Sequence, residues 1–189
     1  MRVMETLALP PSVEADLPVS STVLLMLDMT DRICSKRPSC VAGVPAVARL
    51  LERARSAGVP VIHTEGSSGP STFLPSLTPR PDEPVRSARA DKFYGTDLAD
   101  LLEQRGARFV VICGTSANGA VLYTSFGASV RGYTVVVPVD GVSTDLPDVL
   151  RFSLWQLLNQ PGSANPQNEP LAEQRVTLST TETIRFVEA

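Results

Sequence analysis

With 189 residues, 43% of them hydrophobic, 20% charged and a net charge of −3, the chain has the makeup of one domain with a sizeable core. No Lys/Arg run interleaved with aromatics marks a nucleic-acid surface, and the longest apolar runs are strand-length, far short of a membrane span. Cys34, Cys40 and Cys113 with the lone His63 lack the spacing of a zinc site, so three reduced thiols and no metal are expected.

Residues 1–20 hold several prolines and no sustained periodicity, and they read as an N-terminal arm to a domain over 21–189. This arm has no continuous apolar core of the signal-peptide kind and carries Glu5, Glu14 and Asp16, so a cytoplasmic protein is expected. TVLLMLD (22–28) predicts a first buried strand that stops at an acid, Asp28. VPAVARLLERARSAG (44–58) predicts an amphipathic helix with Val47, Leu50, Leu51 and Ala54 on one face. VPVIHTE (59–65) predicts a second strand with His63 and Glu65 near its end.

The stretch 66–85 is polar and rich in proline, and reads as a long loop, either a lid or a partner-binding element. Residues 85–95 read as irregular or as a short edge strand. Thr96 is placed to cap a helix over 97–106. RFVVIC (108–113), GTSANG (114–119), AVLYTSFGASV (120–130) and YTVVVPVD (133–140) predict strand, turn, helix and strand, a right-handed βαβ unit. A helix over 148–160, a loop over 161–170, a short strand over 175–179 and a terminal turn or helix complete the chain. Alternating strands and helices predict an α/β three-layer sandwich, a mainly parallel sheet of about six strands with helices on both faces.

Ligands in open α/β sheets bind beyond the carboxyl ends of the strands. That brings Asp28, Lys92 and the turn 114–120 into one neighbourhood. A carboxylate and an ammonium beside a helix N-terminus can move a proton next to an anion hole. Each piece also has a plain reading. Asp28 reads equally as a cap or salt-bridge partner, Lys92 as a surface charge, and His63 as a strand-end residue bonded to backbone. Neither a nucleotide-binding glycine motif nor the GxSxG nucleophile elbow is present.

As a set, VLLMLDMTDRI, DKFYGTDLADLLEQRG and VVICGTSANGAVLYTSFGASVRGYTVVVPVDGVST resemble the isochorismatase-like cysteine hydrolase superfamily over about residues 20–187. That group includes nicotinamidases, N-carbamoylsarcosine amidohydrolases and isochorismatases. The resemblance implies that Asp28 and Lys92 are catalytic and that a cis peptide joins Thr115 to Ser116. It implies an anion hole from backbone N–H groups near Ser116, Gly119 and Ala120, and a homo-oligomer, dimer or tetramer. His63, Phe93, Tyr94, Asn118 and Tyr123 are candidates for binding a small-molecule substrate. The zinc-binding Asp-x-His and second His of some nicotinamidases have no counterpart in HTEGSSG, so no cofactor is implied.

One position departs from the pattern. Ala120 stands where the amidohydrolases carry their nucleophilic cysteine, and alanine closes the thioester route. Three readings follow: an enzyme working by acid–base chemistry with water, a non-catalytic binder on the same fold, or an amidohydrolase whose cysteine has been replaced.

Overall fold

TVLLML and FVVICGT carry no charged residue, and they become the two central strands. The computed structural model of the chain describes residues 7–188. β2 (Thr22–Leu27) is buried throughout, and β5 (Phe109–Thr115) is buried from Val110 onward. Burying one Leu or Val is worth about 1.5–3 kcal/mol over exposing it. These strands are therefore committed to the interior.

The other members of the main sheet are β3 (Val61–Gly66), β4 (Val85–Ala88), β6 (Thr134–Pro138), β7 (Val142–Ser143) and β8 (Val176–Ser179). The spatial order is β4-β3-β2-β5-β6-β8, with all pairings parallel. β6 pairs only with residues 109–111 of β5, and β7 takes over at Gly114 and Thr115. Seven strands thus stand where about six are expected, because Val142–Ser143 is too short to be seen as a strand in sequence.

Helices cover both faces. α2 (Pro38–Ala57) packs on one with Leu24, Met26, Val111 and Cys113. α3 (Leu98–Gln104), α4 (Leu122–Ser129) and α5 (Pro147–Leu158) cover the other with Leu25, Leu27, Ile112 and Val137. α2 begins at Pro38 and not at Val44. Pro38 takes the first-turn position that suits proline, and Ser39 is anchored there by Asp145 Oδ1 at 2.7 Å from its hydroxyl. Pro45 lies inside the helix and is exposed.

Three further expectations are corrected by the structure. Within the arm, β1 (Ala15–Pro18) pairs in parallel with β9 (Ile184–Val187), so the terminal segment is a strand and not a turn or helix. Such a pairing joins two short segments from opposite ends of the chain, and neither has a partner in sequence proximity. Residues 1–6 and 189 lie outside the described residues. The third correction concerns the thiols. A four-residue helix, α1 (Asp31–Cys34), and the first turn of α2 bring Cys34 and Cys40 to a Cα–Cα distance of 5.3 Å, and they form a disulfide. Cys113 alone is free, buried between β2 and α2.

Candidate active site

Strict alternation along β2 would send Asp28 to the α2 face with Leu24 and Met26. The backbone breaks that alternation, because Asp28 has a left-handed φ of 57°. Such a conformation is costly for a residue with a side chain and tends to mark functional sites. Here it swings the carboxylate onto Thr64, whose hydroxyl donates to Oδ1 at 2.8 Å, and onto Lys92. Gly114 on the neighbouring strand permits this close approach. A Cβ there would lie 2.0 Å from the Leu27 carbonyl oxygen, and the residue has a φ of 128°.

Lys92 is only 1% exposed. Its ammonium donates to Asp28 Oδ1 at 2.8 Å, to Oδ2 at 2.7 Å and to the Ala88 carbonyl at 3.2 Å. The backbone is fixed as well: Lys92 N–H donates to Thr124 Oγ1 at 3.2 Å, and its carbonyl accepts from Thr96 Oγ1. Thr96 Oγ1 in turn accepts from the Leu98 amide at 3.3 Å, which ties the seat of Lys92 to the start of α3; the cap residue of that helix is Asp97 and not the expected Thr96, and it makes no side-chain cap bond. Burial lifts the Asp28 carboxyl above the ordinary carboxylate value, against the pull of Lys92 and Thr64 and with a push from Glu65.

β5 ends at Thr115, and the Thr115–Ser116 peptide is cis. Residues Ala117–Val121 form a wide π turn kinked at Gly119, and the regular helix α4 starts only at Leu122. The Gly119 and Val121 amides both donate to the Ser116 carbonyl, at 3.0 and 3.2 Å. Ala120 is 4% exposed and packs in the same core cluster as Leu27 and Phe93.

The remaining candidates scatter. His63 lies buried at 1% exposure, its Nε2 2.9 Å from Glu83 Oε2 and its ring edge-on to Phe73. Burial holds His63 below its ordinary value against the pull of Glu83, so the neutral ring donates Nε2–H to that carboxylate. It does not join the Asp28 cluster. Phe93 is buried under the Arg131 guanidinium, 4.4 Å above its ring, and fits because residue 127 is glycine. Tyr94 is 78% exposed and Tyr123 55%, the latter on the outer face of α4, and Asn118 is exposed in the π turn.

Thr64 escapes the sequence reading, and Glu65 is legible there only as an acid near the end of the second strand. Alternation does place Thr64 on the face of Leu27, its register partner, and that is the only signal for it. Glu65 accepts from Ser87 Oγ at 2.8 Å and from the Ser71 amide at 2.7 Å, tying the long loop to β4. Arg32 donates to the carbonyls of Ser68 and Gly69 at 2.8 and 3.0 Å, and Thr30 bridges Phe73. Residues 66–73 are thereby clamped onto the segment that follows Asp28. Among the described residues no three His, Cys, Asp or Glu side chains gather as metal ligands would, and no helix is long and apolar enough to cross a membrane.

Comparison with known proteins places this geometry. Residues 22–163 match the isochorismatase domain model. A streptothricin hydrolase of Streptomyces noursei is 36% identical over 110 residues, 52% of this chain, and the match spans 44% of that protein, less than half its length. The secreted isochorismatase effector Isc1 of Verticillium dahliae is 28% identical over 159 residues, covering 76% of this chain and 82% of that one. A cysteine hydrolase structure from Pseudomonas syringae pv. phaseolicola 1448A superposes with a TM-score of 0.76 at 20% identity, over 91% of this chain and 94% of that one, and shares the fold. Strand order, matched span and relatives agree, and the chain belongs to the isochorismatase family.

Proposed function

We propose that the chain is a hydrolase of a small molecule that works by acid–base chemistry, with water in place of a thiol nucleophile. The observation that carries this reading is the buried Asp28–Lys92 pair, held from two chain segments at the carboxyl end of the sheet. A surface salt bridge needs no burial, no left-handed backbone and no third donor from Thr64, whereas a proton carrier needs all of its surroundings fixed.

On a vinyl ether, Asp28 gives its proton to the alkene carbon, and water adds to the resulting oxocarbenium carbon. The hemiketal then collapses to a ketone and the free alcohol, and the proton released returns to Asp28. On an amide, the same carboxylate takes a proton from water as the water oxygen attacks the carbonyl carbon. The amine then leaves with that proton. In both routes Lys92 stabilises the ionised carboxylate. The backbone N–H groups of Ser116 and Ala120 are our assignment for the anion hole. Ala120 supports the choice of water, since its methyl offers no nucleophile. The reaction as proposed calls on no metal or cofactor.

We also propose a homo-oligomer. α4 and α5 expose Tyr123, Phe126 and Phe152 around a groove of about 320 Å³, a larger apolar surface than scattered single residues make.

The test is Asp28→Asn assayed against vinyl ethers, small amides and ureas. Asparagine keeps an acceptor for Lys92 and Thr64 but cannot carry the proton, so turnover should fall about 10²–10⁴-fold. Wild-type activity that survives this change unaltered sinks the mechanism.

A further inference from the structure

One turn of helix holds the loop that leaves β3. The Asp31 amide donates to the Thr72 carbonyl at 2.7 Å, Arg32 donates to the carbonyls of Ser68, Gly69 and Pro70, and Thr30 pairs with Phe73. Ile33 packs on Gly66, where a Cβ would lie 3.1 Å from its Cδ1. Glu65 supplies a further anchor by accepting from the Ser71 amide.

That turn, α1, has four residues, too few to be stable on its own. At one end it continues the chain from Asp28. At the other, the Cys34–Cys40 disulfide fastens it to the first turn of the 20-residue α2. Cys34 and Cys40 are buried in the core on the α2 face, whereas Ser35, Lys36 and Pro38 between them are exposed, so the closed ring lies at the surface. The two cysteines are only 6 positions apart, and a ring so short removes little entropy from the unfolded chain. Its effect is local: it fixes α1, and α1 fixes residues 66–73.

We propose that the Cys34–Cys40 disulfide is a redox lock on residues 66–73, acting through α1. Oxidised, it keeps the loop against the segment that follows Asp28. A dithiol opens it. One thiolate of the reagent attacks a sulfur, the second closes the reagent's own disulfide, and Cys34 and Cys40 are released as thiols, having gained two electrons and two protons. α1 then loses its tie to α2, and the loop loses its clamp. Thr64, which bonds Asp28, lies on β3 just ahead of the loop, so the lock works beside the carboxylate. As a control on that site it rests on the hydrolytic reading above; the release of the loop does not.

Hydrogen exchange read by mass spectrometry tests this on the full chain in three forms: oxidised, treated with dithiothreitol, and as the double variant Cys34→Ala/Cys40→Ala. Alanine avoids burying a new hydroxyl. Peptides spanning 66–73 and 31–37 should exchange about tenfold or more faster in the two disulfide-free forms, while peptides of β2 and β5 stay as they were. Arg32→Met should speed exchange over 66–73 with the disulfide intact. If the alanine variant does not fold, Cys34→Ser/Cys40→Ser replaces it. Unchanged exchange over 66–73 in either disulfide-free form, equal acceleration of β2 and β5, or a disulfide that excess dithiothreitol leaves intact in the native protein overturns the lock. Release of the loop in a chain whose turnover is unaltered by Asp28→Asn supports the lock and counts against the hydrolytic reading instead.

Discussion

Lys92 Nζ lies 2.7 Å from Asp28 Oδ2, and the two residues are 64 positions apart in the chain. Both are almost wholly withdrawn from water, and each is the other's charge partner. Breaking such a pair strands a buried charge. Lys92→Met should therefore lower stability by about 3–5 kcal/mol in a denaturant titration and reduce turnover. Adding Asp28→Asn to it should cost less than the sum of the two single changes, because the double variant buries no net charge. Strict additivity in that cycle would show that the pair is not coupled.

Ala120→Cys separates the three readings of the alanine. In an acid–base hydrolase the thiol is not needed, and the wild-type chain turns over substrate with no enzyme-bound intermediate. That is the expected result. In an amidohydrolase deprived of its nucleophile, the added thiol would bring amidase activity and a burst of acyl-enzyme, visible by mass spectrometry. In a binding protein neither form would turn over anything.

His63 and Glu83 predict an acid limb of stability. Burial pushes the Glu83 carboxyl up, but Arg55, the Arg80 amide and His63 outweigh it and hold it at about 2, against an ordinary value of 4.5. A carboxyl depressed in the folded state stabilises above its unfolded pKa and loses that stability as pH falls toward the folded value. His63 is also depressed in the fold, below 6.5, mainly by burial, and so adds a penalty on the same side as its unfolded form protonates. Stability should thus decline from about pH 6.5 downward and most steeply between 4.5 and about 2. In Glu83→Gln the steep part should flatten, at a cost near neutral pH of about 2–3 kcal/mol. An unchanged pH profile in Glu83→Gln would refute this.

The thiols offer a chemical check. Alkylating the unfolded, unreduced chain should label one cysteine, Cys113, and labelling of all three would restore the reduced reading. In the native protein Cys113 should resist the reagent, since burial raises its thiol to about 12 and the thiolate is the reactive form.

The exposed face of α4 and α5 carries the last prediction. Light scattering at micromolar concentration should show a homo-oligomer, and Phe126→Glu should dissociate it, because a carboxylate there would have to be desolvated in the apolar contact. A wild-type monomer at that concentration removes the claim.

The strands and helices around Asp28 and Ala120 are legible in the chain because their signals are local. TVLLML and RFVVIC are apolar runs of strand length, α5 repeats leucines at helical spacing, and the glycine-bounded turn after β5 interrupts both patterns. Asp28 itself shows as an acid at the end of an apolar run. Tertiary structure alone decided what each charge meets. Asp28 turns to Lys92 and Thr64 through a left-handed backbone that alternation does not foresee, and His63 is claimed by Glu83, 20 residues further on. The β1–β9 ladder and the Cys34–Cys40 disulfide are likewise invisible to periodicity, one joining the two ends of the chain and the other depending on where a four-residue helix stops. Periodicity reports which side of an element is apolar; it carries no information about which distant polar group completes a hydrogen bond once water has been excluded.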